Sequence, residues 1–150
     1  MFVEKLTTPE DIRRMTELAK QYDGGFSKYI RVDVEYSVKQ YVSMIKGGWG
    51  VVFALKNDAG EMVGGLGAIK APDLHCGYMT AIETFWFTNP DSRGHGLLLL
   101  DAFEAWGKEF GCRRFAIVHL VDSMPERLSV LYKRRGYKLI ESHYVKGDDI

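Results

Sequence analysis

The stretch from Ile82 to Gly111 constrains this chain most, because it reads as strand, tight glycine loop and helix in direct succession. Ile82, Thr84, Phe85, Trp86 and Phe87 suit a pleated, partly buried surface, and Asn89-Pro90 stops the strand they form. From Leu97 onward, Leu99, Leu100, Phe103, Trp106, Gly107 and Phe110 recur every three or four positions, which places them on one helical face. Gly111 supplies a left-handed stop. Between strand and helix stands Arg93-Gly94-His95-Gly96. Two residues without a Cβ at a helix start let backbone N–H groups approach a bulky anion, so the turn reads as a phosphate cradle. The plainer reading is a turn whose glycines satisfy local geometry only.

The same two periodicities recur along the rest of the chain. Phe2 to Leu6 alternates as a first strand, and Thr8-Pro9-Glu10-Asp11 opens a helix with a cap, a proline and acids in its first turn. Ile12, Met15, Leu18, Ala19 and Tyr22 give that helix its buried stripe, and Gly24-Gly25 ends it. A second helix follows Asp33, with Val34, Val38, Tyr41, Val42 and Ile45 inward and Gly47-Gly48 closing it. Trp49 to Lys56 and Met62 to Lys70 are apolar runs joined by Asn57-Asp58-Ala59-Gly60, which predicts an antiparallel hairpin. Gly64, Gly65 and Gly67 in the second run read either as a bulge or close backbone neighbour or, more plainly, as a twisted strand with little to pack. Pro72 to Met79 is a loop.

Beyond the long helix, Arg114 to Leu120 reads as a strand and Ser123-Met124-Pro125-Glu126 as a capping box. Leu128, Leu131 and Tyr132 carry the next helix, whose end is marked by Lys133, Arg134, Arg135 and Gly136. Tyr137 to Ile140 and Tyr144 to Lys146 read as short final strands. Strands and helices so interleaved give an α/β (α+β) chain, and 150 residues with 46% hydrophobic content bury one proper core, so a single domain over 1–150 is expected.

Charge and cysteine content exclude several functions. Lysines and arginines equal acids, for a net charge of zero and a pI near 6.9, so no global field attracts nucleic acid or an acidic membrane. Cys76 and Cys112 stand far apart without CxxC spacing and read as free thiols of a reducing compartment. No basic start leads into an apolar run, and no apolar stretch nears about 18 residues, so a soluble cytoplasmic protein is expected. His75, His95, His119 and His143 lack metal-ligand spacing, and no metal is expected.

Ser92-Arg93-Gly94-His95-Gly96, after a strand and Asn89-Pro90-Asp91, resembles the acyl-CoA-binding motif of the GNAT acyltransferases, R/Q-x-x-G-x-G/A. Arg93 and Gly96 fall on its first two fixed positions, while Leu98 stands where Gly or Ala is usual. Leu131-Tyr132-Lys133-Arg134-Arg135-Gly136-Tyr137 resembles the late helix of that family, LYEKxGF, and Pro125 replaces an Asn seven residues before the tyrosine. The local words Ile82 to Phe87 and Tyr132 to Gly136 are similar to those of spermidine/spermine acetyltransferases, and the short form with its clipped ending resembles GNAT proteins encoded by phages. The likeness covers roughly residues 50 to 146, and the first 50 by pattern only. It implies a mixed, mostly antiparallel sheet splayed between strands four and five, flanked by about four helices. It also implies acetyl-CoA as co-substrate, bound through Phe85, Trp86, Phe87, Arg93, Gly94, His95, Gly96, Leu97 and Leu98.

Acyl transfer from a thioester to an amine needs an unprotonated amine, a stabilised oxyanion and a proton for the leaving thiolate. Glu83 is the only carboxylate in the apolar strand before the loop, and burial beside aromatics raises a carboxyl pKa into the range of a base. The alternative is an acid on the wet face of a half-buried strand. Resemblance places Tyr132 at the general acid of the family; otherwise it is a core tyrosine with a bonded hydroxyl. His119 is a second candidate base or a satisfied core histidine. No serine or cysteine carries a nucleophile motif, which favours direct attack by the amine. The expected partner is an amine-bearing small molecule or protein, with a homodimer possible. Two other readings compete: a coenzyme-binding or structural module without turnover, suggested by Leu98, Pro125 and the short ending, and a dinucleotide site. The latter lacks the second half of GxGxxG and its early strand.

Overall fold

The computed structural model describes residues 1–22 and 29–147. Its frame is one five-stranded sheet in sequence order, made of β1 (Phe2–Lys5), β2 (Gly50–Lys56), β3 (Met62–Pro72), β4 (Met79–Thr88) and β5 (Arg114–Ala116). The first four strands pair antiparallel and β4 pairs parallel with β5. Helices α1 (Pro9–Tyr22) and α2 (Val34–Lys46) cover one face, and α3 (Gly96–Glu109) covers the other. A fourth helix, α4 (Pro125–Arg134), follows β5. This is the expected sheet with its four helices. No described helix is long and apolar enough to cross a membrane.

Local chemistry sets the boundaries. Thr8 Oγ1 accepts from the Asp11 amide at 3.1 Å and Asp33 caps α2 through the Tyr36 amide at 3.0 Å, each satisfying a donor that a helix start leaves unpaired. Gly24 and Gly25, the expected stop of α1, lie outside the described residues. The β2–β3 turn closes through Asn57 and Glu61, with Gly60 at φ +81°. Two apolar clusters fill the space on either side of the sheet. Leu6, Ile12, Met15, Val38, Val52 and Phe87 lie under α1 and α2, and Val51, Leu66, Leu99, Leu100, Phe103 and Trp106 lie under α3.

Five expectations need correction. The glycine cluster of β3 marks close neighbours, because a Cβ on Gly65 would sit 2.3 Å from Met15 Sδ and one on Gly67 2.3 Å from the Phe85 ring. Beside Gly67 the register slips, which leaves Thr84 without a partner between Glu83 and Phe85 and makes a bulge in β4. Phe110 is exposed and carries the Lys70 ammonium 3.9 Å from its ring centre, so it caps the long helix from outside. There is no capping box before α4. Its cap is Met124 in the left-handed region, at φ +46°, with no side-chain bond, and Pro125 takes the first helical position. Finally, β5 stops at Ala116 instead of Leu120, and residues 137–147 form no strand. Leu139, Ile140, Tyr144 and Val145 find no pairing partner among the described residues and stay exposed.

Candidate active site

The sheet forks in its middle. Parallel pairing of β4 and β5 runs only from Thr80 opposite Arg114 to Ile82 opposite Ala116, although β4 continues six residues further to Thr88. Glu83 is the first residue past the last pair. Its side chain is 7% exposed, and Oε2 accepts the Val118 N–H at 3.0 Å, so a carboxylate stands where a backbone carbonyl would have continued the ladder. This also explains the short β5, because Val118 turns its amide to a side chain. Burial raises the Glu83 carboxyl to about 7, and the Val118 amide opposes that rise.

Tyr132 comes to the same place from α4. Its hydroxyl donates to the Val118 carbonyl at 2.8 Å, and its ring lies 6.2 Å from Trp86, 6.3 Å from His119 and 5.9 Å from Tyr137. Burial, helped by the nearby Glu83 charge, pushes its phenol far above the ordinary value. Ion pairs fix the helix that carries it. Arg135 donates to Asp101 at 2.5 Å and Glu104 at 3.2 Å on α3, and the Tyr137 hydroxyl donates to the same Glu104 oxygen at 3.1 Å. The two proposed proton-handling residues, Glu83 and Tyr132, far apart in sequence, therefore share Val118.

On the other face the bulge sets a third tyrosine. The Tyr41 hydroxyl is 2.8 Å from Thr84 Oγ1, and its ring meets Phe85 edge-on at 5.8 Å. Burial raises the Tyr41 phenol to about 12. Among the aromatic residues of β4, Phe85 and Phe87 pack toward α1 and α2, whereas Trp86 packs toward α3 and Tyr132. The structure thus divides them between two layers.

The glycine turn lies at the far end of β4. Asn89 Oδ1 accepts from the Ser92 amide at 2.9 Å, Gly94 sits at φ +97°, and α3 starts at Gly96 with no acid in its first turn. The amides of Gly94, Gly96 and Leu97 donate to no protein group among the described residues, and the His95 side chain caps nothing. Arg93, His95, Leu97 and Leu98 are exposed around them, while Gly96 is buried against Trp86 and Thr88. Free amides, a positive helix end and a cationic side chain fit a phosphate group.

A turn that presents amides and a buried acid beside a fork in the sheet are joined by one strand. The family model described as the acetyltransferase (GNAT) family matches residues 12–137. The chain belongs to the GNAT family. No curated protein matches the sequence. Solved structures share the GNAT fold at low identity. A transcriptional regulator from Bacillus halodurans superposes with TM-score 0.77 at 20% identity, covering 97% of this chain and 98% of that one. An aminoglycoside acetyltransferase from an uncultured soil metagenomic sample gives 0.73 at 18%, with 97% of each chain covered. A ribosomal-protein-alanine N-acetyltransferase from Brucella melitensis gives 0.70 at 17%, covering 99% of this GNAT chain and all of the other.

Sequence reasoning missed three residues that the structure brings to the candidate site. Tyr41 carries the spacing of a core residue, Thr84 that of a regular strand residue, and Val118 acts through its main chain, which no residue type announces. The described residues hold no cluster of His, Cys, Asp or Glu fit for a metal ion. An open depression lined by Arg14, Leu18, Gly60 and Met62 contains none of the groups above.

Proposed function

We propose that this GNAT protein transfers an acetyl group from acetyl-CoA to the amine of a small molecule or protein by direct attack. The observation that carries the reading is the geometry of β4, which has a buried carboxyl bonded to the Val118 amide at the fork and free amides in the turn at its end. The turn holds the pyrophosphate through the Gly94, Gly96 and Leu97 amides with Arg93, and the thioester lies toward Glu83. An acceptor ammonium gives its proton to Glu83, directly or through water. The free amine forms a C–N bond to the carbonyl carbon, the C–S bond breaks as Tyr132 gives its proton to the thiolate, and the proton shed by the attacking nitrogen, passed through water, restores the Tyr132 phenol. For that step the Tyr132 hydroxyl turns away from the Val118 carbonyl.

The local similarity to spermidine/spermine acetyltransferases supports starting with polyamines as acceptors, and the short form is consistent with a phage-type member. Two free thiols, one of them exposed, suit a cytoplasmic setting. Zero net charge argues against nucleic-acid and membrane partners. The competing reading, coenzyme binding without turnover, is favoured by the bonded Tyr132 hydroxyl together with Leu98 and Pro125. Calorimetry with acetyl-CoA, followed by acetyl transfer to polyamines, aminoglycosides and peptides with a free N-terminus, separates the two. Turnover on any acceptor establishes the enzyme, and tight binding with no turnover on all of them leaves a binding module.

A further inference from the structure

Glu83 and Tyr132 belong to different elements and do not bond each other, yet both are held by one residue. The Val118 N–H donates to Glu83 Oε2 at 3.0 Å, and the Val118 carbonyl accepts the Tyr132 hydroxyl at 2.8 Å. The Val118 side chain is about half exposed, so packing does not fix the residue. We propose that the main chain of Val118 is the positioning element for both proton-handling groups, orienting the Glu83 carboxyl with its N–H and holding the Tyr132 hydroxyl on its carbonyl until the thiolate forms. The inference rests on the assignment of Glu83 and Tyr132 to proton transfer.

The surroundings give Val118 this leverage. Among the described residues Glu83 hydrogen-bonds to Val118 alone, and the titratable groups its charge reaches are Tyr41 on α2 and Tyr132 on α4, with His119 stacked on Tyr132. Burial and the Val118 amide are the two influences on its charge, and they act in opposite directions. A carboxylate in such a place depends on its single donor far more than an exposed one would. Because that donor shares a residue with the acceptor of Tyr132, whatever displaces Val118 loosens the two groups together. A substrate arm entering the fork beside β4 is placed to do so.

The test removes the Val118 amide. Replacing Val118 by its α-hydroxy acid converts the N–H to an ester oxygen, and Val118→Pro is the recombinant counterpart. The readout is the ¹³C titration of the Glu83 carboxyl in the intact protein. Without the amide the midpoint is expected to rise by roughly one pH unit, because a hydrogen bond to the charged form is lost. Val118→Ala keeps the N–H and is expected to titrate as wild type. Tyr132→Phe frees the carbonyl end and is expected to raise the midpoint in the same direction by less. If Val118→Pro fails to fold, the ester variant decides. An ester variant that titrates like wild type overturns the inference, as does a Tyr132→Phe variant with an unmoved midpoint. The two readings fail separately: a shifted midpoint in a protein that acetylates nothing keeps this inference and sinks the transferase, and turnover with an unshifted midpoint does the reverse.

Discussion

The two ends of the β4 site work by opposite means. At the turn after Thr88 the useful groups are main-chain amides that the start of α3 leaves unpaired and that Gly94 and Gly96, without side chains, keep accessible, and the surface there is open. At the fork around Glu83 the main chain of Val118 is fully occupied by side chains, and the carboxyl is buried. An open glycine turn tolerates change around it but not in it. A buried carboxyl responds to every change in its donors and its solvent. Substitutions at the two ends should therefore fail differently, in affinity at the turn and in proton chemistry at the fork.

The largest effect is expected in stability at the fork. Burial lifts the folded Glu83 carboxyl from about 4.5 to about 7, so the folded state binds this proton more tightly than the unfolded chain does. The resulting contribution is fully present below pH 4.5 and is lost as pH rises through 7, about 3 kcal/mol in all. Glu83→Gln stays neutral and its carbonyl still accepts the Val118 N–H. It should match wild type at pH 4.5 and exceed it at pH 8, as read by urea denaturation at both. Equal stability at pH 8 would mean that Glu83 is solvated and that the two ends of the site are less different than described.

Next comes turnover. Glu83→Gln and Tyr132→Phe keep size and packing while removing proton transfer, so each should lower kcat by about 10²-fold with coenzyme affinity little changed. The Glu83 variant should also lose the acidic limb of its rate profile, which in wild type lies near pH 7. Near-normal kcat in both on a confirmed acceptor would move the base and acid elsewhere, with His119 the next residue to examine.

The turn gives a smaller effect in a different quantity. A Cβ on Gly96 would lie 3.3 Å from Thr88 and 3.4 Å from Trp86, so Gly96→Val must displace the start of α3 from β4, and with it the amides of the turn. Coenzyme A binding should weaken by at least about tenfold, or 1.4 kcal/mol. Unchanged affinity in a folded variant would take the turn out of the site.

This contrast also explains what the sequence made legible. The turn is a local pattern, with strand, glycines and helix contiguous, and it can be read from residue types alone. Glu83 was legible as a lone acid among aromatics, and the ladder geometry confirms its burial. The bulge at Thr84 is announced only on the partner strand, by the glycine cluster around Gly67, and its position depends on register. The part played by Val118 depends on where β5 stops pairing and leaves no mark in composition or spacing. The failed strand at 137–140 shows the converse. Tyr137 has the residue type of a strand, but its hydroxyl is drawn to Glu104 on α3, and the residues after it pair with no strand among the described residues.

The smallest expected effect tests the one position where the turn departs from the family motif. Leu98 lies in the first turn of α3, is exposed, and donates its amide to the His95 carbonyl at 3.1 Å, so its side chain contributes little to the core. If that side chain crowds the phosphates, Leu98→Gly should tighten coenzyme A binding by about threefold, a fraction of a kcal/mol. The same change should cost about 1 kcal/mol of stability, since glycine is a poor helix former at this site. Calorimetry and thermal denaturation on one sample read both quantities, and their opposite signs make the result unambiguous. Tighter binding in a less stable protein identifies Leu98 as an obstacle. Weaker binding identifies it as an apolar contact for the coenzyme, and the open turn would then owe part of its affinity to a side chain, as the fork does.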